Sequence, residues 1–463
     1  MEKDQKYDQN SEQGFMEQEN MGQTSQGRNG VGSDTIWFQP QEEESKDPRE
    51  TMKKDSEEGT EAVTSRQGKT NLENATAEEK ADQEDDGPTV VDAPKRKGIT
   101  HWSVAWTISK FIWRMALGVV LTIGILALGL VGYLTVTEYD PAFAETADRG
   151  SVNRSESITS QSLSILTFNT GYGALGADAD FFMDGGEGVL PEDPEVVESN
   201  LAGVEGILGI ADADFVFLQE VDVGSKRSFE TNQWLKYEYG LEDYESRFAL
   251  NYSCDYIPYP VKTPVGKVRS GLATYSSYDI VSATRYSLPN GYDWPNRIAN
   301  LKRCLLVTRI PIEDSEQQLV LINVHMEAYD EGDVRQDQID QLIALVKEEY
   351  SKGNFVIAGG DFNSTFPNST AYPVKDPEQW TPGQLKSVYS GYRYVYDDST
   401  PTCRLLNQPY DPESDETQYY VIDGFLVSPN VMVDKIETLD YEFVYSDHNP
   451  VLMHFTLNSN EEG

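Results

Sequence analysis

The chain has 463 residues, with 37 Lys and Arg against 78 Asp and Glu, a formal net charge of -41. Such a balance excludes a protein that coats DNA through its overall charge. Three cysteines, Cys254, Cys304 and Cys403, exclude a disulfide-dense scaffold or a Cys-rich zinc module and permit at most one internal bridge.

Residues 1–98 are Gln, Glu, Ser, Asn, Asp and Lys with hardly any aliphatic side chains, and carry 24 acids against 13 bases. A segment of this kind buries too little apolar surface to offset its ordering entropy, which predicts a disordered acidic tail, interrupted only by the cluster Thr35-Ile36-Trp37-Phe38. From Met115 to Val136 run 22 residues without a charge, about 33 Å as a helix and enough for a bilayer core. With its basic flank this predicts one transmembrane helix over 110–136. Lys95, Arg96, Lys97, Lys110 and Arg114 precede the apolar run, and Glu138, Asp140, Glu145 and Asp148 follow it. The positive-inside rule then keeps the N-terminus cytoplasmic and predicts a single-pass plasma-membrane protein with its C-terminal two-thirds extracellular. Ala142-Phe143-Ala144 has the look of a signal-peptide cleavage site, but the hundred-residue lead argues against one.

Residues 137–161 are polar and aperiodic, which predicts a stalk. From 162 to 458 strand-like and helix-like segments alternate. Leu163–Phe168, Phe215–Val221, Leu319–Met326 and Phe355–Phe362 read as buried strands. Asp193-Pro194 suits a helix start, and Val197, Leu201, Val204 and Leu208 share one face, as Ile339, Leu342, Ile343 and Val346 do in a second helix. The pattern predicts one α/β domain of about 300 residues.

Polar residues gather where these apolar runs end: Asn169, Glu220, His325, Asp361 with Asn363, Asp423, and Asp447 with His448. Strand ends are where loops bring side chains into one cleft. Singly, each has a structural explanation as a turn former or a satisfied core histidine. As a set they form a hard oxygen-donor group with imidazoles and without thiolates, the ligand chemistry of Mg²⁺ or Mn²⁺.

The motifs FN, LQE, NVH, GDFN, ID and SDHNP, in that order over about 290 residues, resemble the endonuclease/exonuclease/phosphatase family. The resemblance implies a four-layer α/β/β/α sandwich (α+β in the wider sense) that hydrolyses phosphate esters with a divalent metal. It implies Asn169, Glu220 and Asp447 as metal ligands, His448 as the base that activates water, and Asp423 as its orienting partner. Asp361 and Asn363 would position the nucleophile and a phosphate oxygen, and His325 would donate to the phosphate. Gly424 follows Asp423 where the family usually has an aromatic residue, which predicts a wider space beside the dyad.

From Thr137 onward 22 bases face 54 acids, yet Tyr252 to Arg309 carries eight bases against three acids and is rich in Tyr. Such a lip suits a phosphate head group or a short nucleic-acid segment. The plainer alternative is that these bases pair with nearby carboxylates. Asn251 and Arg303 of this region are the candidate substrate contacts. The reading is a membrane-anchored extracellular Mg-dependent phosphodiesterase acting on a lipid head group or a nucleic acid. The rivals are a nuclease proper and a non-catalytic ligand-sensing module on the same fold.

Overall fold

The computed structural model describes residues 101–458 apart from 161, 331 and 332. The predicted disordered tail, with its Trp37 cluster and Lys95, Arg96 and Lys97, lies outside the described residues.

A 36-residue helix, His101–Val136 (α1), opens the described chain, and its stretch from Val104 is long and apolar enough to cross a membrane. It begins well before the uncharged run, so Lys110 and Arg114 lie within the helix. Three further helices follow: Pro194–Ala211 (α2), Gln233–Gly240 (α3) and Asp333–Ser351 (α4). Asp193 caps α2 by accepting the Glu195 N–H, with proline in the first turn where a missing donor costs nothing.

In chain order the large-sheet strands are Ala144–Thr146 (β1), Asp148–Arg149 (β2), Ser162–Asn169 (β3), Phe215–Asp222 (β4), Glu245–Ile257 (β5), Gly266–Ser276 (β6) and Ser282–Ser287 (β7). Cys304–Pro311 (β8), Gln318–His325 (β9), Phe355–Asp361 (β10), Arg393–Val395 (β11), Asp423–Val427 (β12), Val431–Thr438 (β13) and Val451–Leu457 (β14) complete them. They form two seven-stranded sheets, ordered β1-β7-β8-β9-β10-β12-β11 and β13-β14-β3-β4-β6-β5-β2. The parallel pairs β9/β10 and β3/β4 lie inside otherwise antiparallel sheets. Their strands are buried along nearly their whole length, as both-face burial requires.

One core lies between the sheets, where Ile165, Phe215 and Phe217 meet Leu306, Leu319, Ile357 and Phe425. A second packs α2 on the β3/β4 sheet through Val197, Leu201, Val204 and Leu208. A third packs α4 on the β9/β10 sheet through Ile339, Leu342 and Val346, with Ile343 partly buried at its edge. This mixed fold with two large sheets is consistent with the four-layer sandwich.

Residues 137–161 do not stand apart as a stalk. β1 pairs with β7 and β2 with β5, so this segment closes the edge of each large sheet, and Ile158 is buried against Ile312. Strands of three and two residues are too short to show alternation, whereas the ladder hydrogen bonds they complete fix them in place.

Candidate active site

Each strand-end residue owes its place to a local feature. In β4 the register slips between Leu218 and Val221, and Glu220 adopts a positive φ of 57°. This bulge re-aims Glu220 away from the ladder. Gln219 turns between the sheets, where its Nε2 donates to Asn323 Oδ1 at 2.8 Å. Asn323 Nδ2 in turn donates to the Leu218 and Ala273 carbonyls across the sandwich. A buried polar clamp therefore locks β9 to β4 and β6 two residues before His325. On β10, Gly360 sits at a φ of 144°, and a Cβ there would come within 2.0 Å of the Val324 carbonyl oxygen. Only glycine allows β10 to approach β9 closely enough to set Asp361 beside His325.

Asp361 is the hub. Its Oδ1 accepts the Asn363 N–H at 2.8 Å, and its Oδ2 accepts Asn169 Nδ2 at 3.1 Å. His325 Nε2 stands 3.5 Å from the same Oδ2, and His448 Nε2 stands 3.9 Å from it. Glu220 Oε1 accepts Asn169 Nδ2 at 3.3 Å and lies 4.0 Å from His325 Nε2. His448 Nδ1 is 2.8 Å from Asp423 Oδ2, and its Nε2 is 3.9 Å from Asp447 Oδ2. All eight residues read as catalytic or metal-holding are thus brought together.

Asn169 turns its amide nitrogen to the carboxylates while its Oδ1 accepts the Gly171 N–H at 3.1 Å. In this arrangement it bridges Glu220 and Asp361 as a donor, and its oxygen reaches a cation only after the amide rotates.

Burial pushes the Asp361 carboxyl up to about 7, with the neighbouring Asp423 charge adding to it. Burial likewise raises Asp447 to about 6, opposed by His448 and reinforced by Glu220. Burial also works against a charge on His448, yet Asp423, Cys403 and Asp447 together hold it well above the ordinary imidazole range. His325 is held well below that range by burial, with Arg303 and His448 as like-charged neighbours. One histidine is a strong base and the other a neutral donor, a separation made by environment alone.

Two expected contacts differ in character. Asn251 is buried, lines the cavity beside His325 and Asp361, and leaves its Nδ2 without an acceptor, a nitrogen fitted to a phosphate oxygen. Arg303 lines the same cavity but is engaged: Nε pairs with Glu327 at 3.2 Å, and Nη1 donates to the His325 carbonyl at 3.1 Å. Its direct role is to hold the His325 backbone.

The basic lip is largely spent in the same way. Lys267 pairs with Glu230, Arg297 and Lys302 with Glu138, and Arg309 with Glu349. Arg285 donates to the Leu250 and Lys302 carbonyls. Gly424 does not widen the site either, since a Cβ there would meet Phe366 Cζ and the Val395 carbonyl oxygen at 2.8 Å. The Phe366 ring occupies that space.

Sequence reasoning missed Thr402, whose Oγ1 accepts the Ile422 and Asp423 N–H groups and fixes the start of β12. It also missed Cys403, whose Sγ lies near Asp447 and His448. Burial pushes that thiol up to about 12, so it stays protonated and is a poor ligand. All three cysteines are buried and unbridged.

Residues 166–448 match the model of the Endonuclease/Exonuclease/phosphatase family. The chain belongs to this family. Its members are hydrolases of phosphoester bonds and generally use divalent metals. No curated protein matches the chain. Among solved structures it is similar to an endonuclease/exonuclease/phosphatase from Beutenbergia cavernae, at 18% identity over 65% of this chain and 72% of that one, with a TM-score of 0.44. TDP2 from Caenorhabditis elegans is 18% identical over 64% and 74%, with a TM-score of 0.40. The human Nocturnin catalytic domain is 17% identical over 67% and 98%, with a TM-score of 0.41.

The donor set fits a hard dication. Glu220, Asp361 and Asp447 face the same pair of histidines without a Lys or Arg at ion-pair distance among the described residues, and of the two histidines only His448 is held toward its charged form. Carboxylates short of Lys or Arg partners, two of them buried, call for a cation.

Proposed function

We propose that this chain is a membrane-anchored, metal-dependent phosphodiesterase whose catalytic domain lies outside the cell. The observation that carries the catalytic part is the 2.8 Å Asp423–His448 dyad facing carboxylates that have no Lys or Arg partner among the described residues. Glu220 and Asp447 would hold the cation, with Asn169 joining them through its amide oxygen. When bound, such a cation supplies Lewis-acid stabilisation of charge on a phosphate oxygen.

The rest of the chemistry belongs to the chain. In its neutral form His448 takes the proton of the attacking water at Nε2, so turnover requires its deprotonation, and Asp423 fixes the tautomer from Nδ1 and balances the imidazolium that forms. Asp361, oriented by the Asn363 N–H and Asn169 Nδ2, accepts from that water and aims it at phosphorus. Neutral His325 and the unpartnered Nδ2 of Asn251 donate to the phosphate oxygens as negative charge builds. Arg303 keeps the His325 backbone in register.

The membrane part rests on the apolar helix and the charge asymmetry around it. Protease added to intact cells should remove the catalytic domain and spare the acidic tail; a protected C-terminal epitope would reverse the orientation. The catalytic reading is tested by release of p-nitrophenol from bis(p-nitrophenyl) phosphate by the full chain in Mg²⁺ and in EDTA. Metal-dependent release is expected, and binding without turnover would favour a sensing module.

A further inference from the structure

The cavity that holds the site is continuous with the membrane helix. One volume of about 640 Å³ is lined by His325, Asp361, Asp447 and His448 and also by Val131 and Leu134 of α1. That size lies within the ~300–1,000 Å³ of small-molecule sites. The wall between these two groups is mostly apolar, with Ile257, Val265, Ile298 and Leu301 among its members. Leu134 is buried against Cys254, Ile257, Val268 and Ile298, so helix and domain share one small core.

Polar contacts pin this junction. Tyr133 OH donates to Asp255 Oδ2 at 2.8 Å, Trp294 Nε1 donates to Thr135 Oγ1 at 3.1 Å, and Arg297 and Lys302 close on Glu138. Val131 lies five residues before the end of α1, about 7.5 Å along the axis at 1.5 Å per residue. If α1 spans the bilayer, the cavity's apolar wall stands at the level where acyl chains meet head groups. The surface around it has the composition of that level. Tyr259, Val261 and Trp294 are 62%, 86% and 54% exposed, a cost in water that an interface removes. Exposed Lys262, in no ion pair among the described residues, sits beside them.

We propose that the substrate is a phospholipid of the leaflet facing the catalytic domain. Its acyl portion stays against α1 while its phosphodiester reaches Asp361 and His448 along the apolar wall. This rests on the phosphodiesterase reading and names its substrate class. The reaction is hydrolysis of one P–O ester bond: water adds to phosphorus, its proton passes to His448, the departing alkoxide takes a proton from solvent water as the bond breaks, and His448 releases its proton to solvent. Nucleic acid is the poorer candidate, because the basic residues near the opening are mostly committed to carboxylates, and a polyanion gains nothing from an apolar wall.

The test uses the full chain in vesicles of mixed phosphatidylcholine and phosphatidylglycerol labelled in their head groups. The same protein is assayed on the deacylated glycerophosphodiesters, on single-stranded RNA and on bis(p-nitrophenyl) phosphate, all with Mg²⁺. One or both intact lipids should be turned over with a kcat/KM at least ~10-fold above the deacylated forms, since chain burial is realised only by the acylated substrate. Val131→Trp, which narrows the wall while keeping the helix apolar, should lower the ratio of lipid to soluble-diester turnover by ~10-fold. Equal rates on acylated and deacylated substrates, or preference for RNA, would overturn the lipid assignment while leaving the phosphodiesterase reading intact. Absence of metal-dependent turnover of every diester, the soluble one included, would overturn both.

Discussion

The two large sheets contribute different chemistry. The β3/β4 sheet supplies Asn169 and Glu220 at its strand ends, and the turn before its β14 supplies Asp447 and His448. The β9/β10 sheet supplies His325, Asp361 and, at the start of β12, Asp423. On the proposed roles the first sheet would supply the cation ligands, while the groups for water and phosphate would be shared, His448 and Asn251 from the first and Asp361 and His325 from the second. The Asp423–His448 pair bridges them, as Asn169–Asp361 and Gln219–Asn323 also do. Neither sheet alone holds the whole cluster, so on the proposed mechanism the registration of one on the other would itself be a catalytic requirement.

Breaking the bridge should have the largest effect. Asp423→Asn removes the anion behind His448 and should lower turnover by ~10³-fold or more. The domain should remain folded, and the alkaline shift of His448 should disappear from the pH–rate profile. Near-normal turnover with unchanged Tm would detach Asp423 from catalysis.

Glu220→Gln alters a residue of the first sheet. It should cost ~10- to 100-fold in metal affinity with a matching loss of activity at limiting Mg²⁺. A metal titration overlaying that of wild type would make Glu220 a structural bulge residue.

Loosening the contact between the sheets should be milder and should register in stability as well. Asn323→Ala removes one of the two acceptors of Gln219 Nε2, which keeps Thr167 Oγ1, and takes the Asn323 donor from the Leu218 and Ala273 carbonyls between the sheets. An expected loss of ~1–3 kcal/mol follows from buried groups left unpaired. A parallel fall in kcat with unchanged KM would show that the clamp also aligns the site.

The smallest effect is on pH. The folded-state values of Asp361 and Asp447 are raised to about 7 and about 6. Between the unfolded carboxylate range and those values the native protein holds more protons on these two groups, so without metal their contribution to stability falls as pH rises from about 4 to 7. A bound cation favours both ionised carboxylates and reverses the slope. In EDTA, Tm should be lower at neutral than at mildly acidic pH, and Mg²⁺ should raise it most at neutral pH. A Mg²⁺ effect independent of pH would mean that these carboxylates do not face the metal.

The contrast between legible and illegible parts follows the same physics. The strand-end polar cluster was readable because a polar group ending a buried apolar run has no packing reason to be there, as with Glu220 shortly after Phe215–Leu218. The helices were readable because α2 and α4 each bury one stripe. What escaped depends on contacts remote in sequence. Arg303 counted as a free base until Glu327 was found beside it, and Gly424 as empty space until Phe366 was found filling it. β1 and β2 escaped because two or three residues carry no period, and only their partners β7 and β5 define them. The apolar wall shared with α1 brings Val131 to residues well over a hundred positions away, which no local pattern encodes.

The claim that one site is assembled across two sheets is tested most directly by a double-mutant cycle. Turnover of bis(p-nitrophenyl) phosphate at fixed Mg²⁺ would be measured for wild type, Glu220→Gln, Asp423→Asn and the double variant. Groups that act as a unit lose activity non-additively. The double variant should therefore be about as slow as the worse single one. A rate equal to the product of the two separate losses would contradict the account, because the two sheets would then contribute independently.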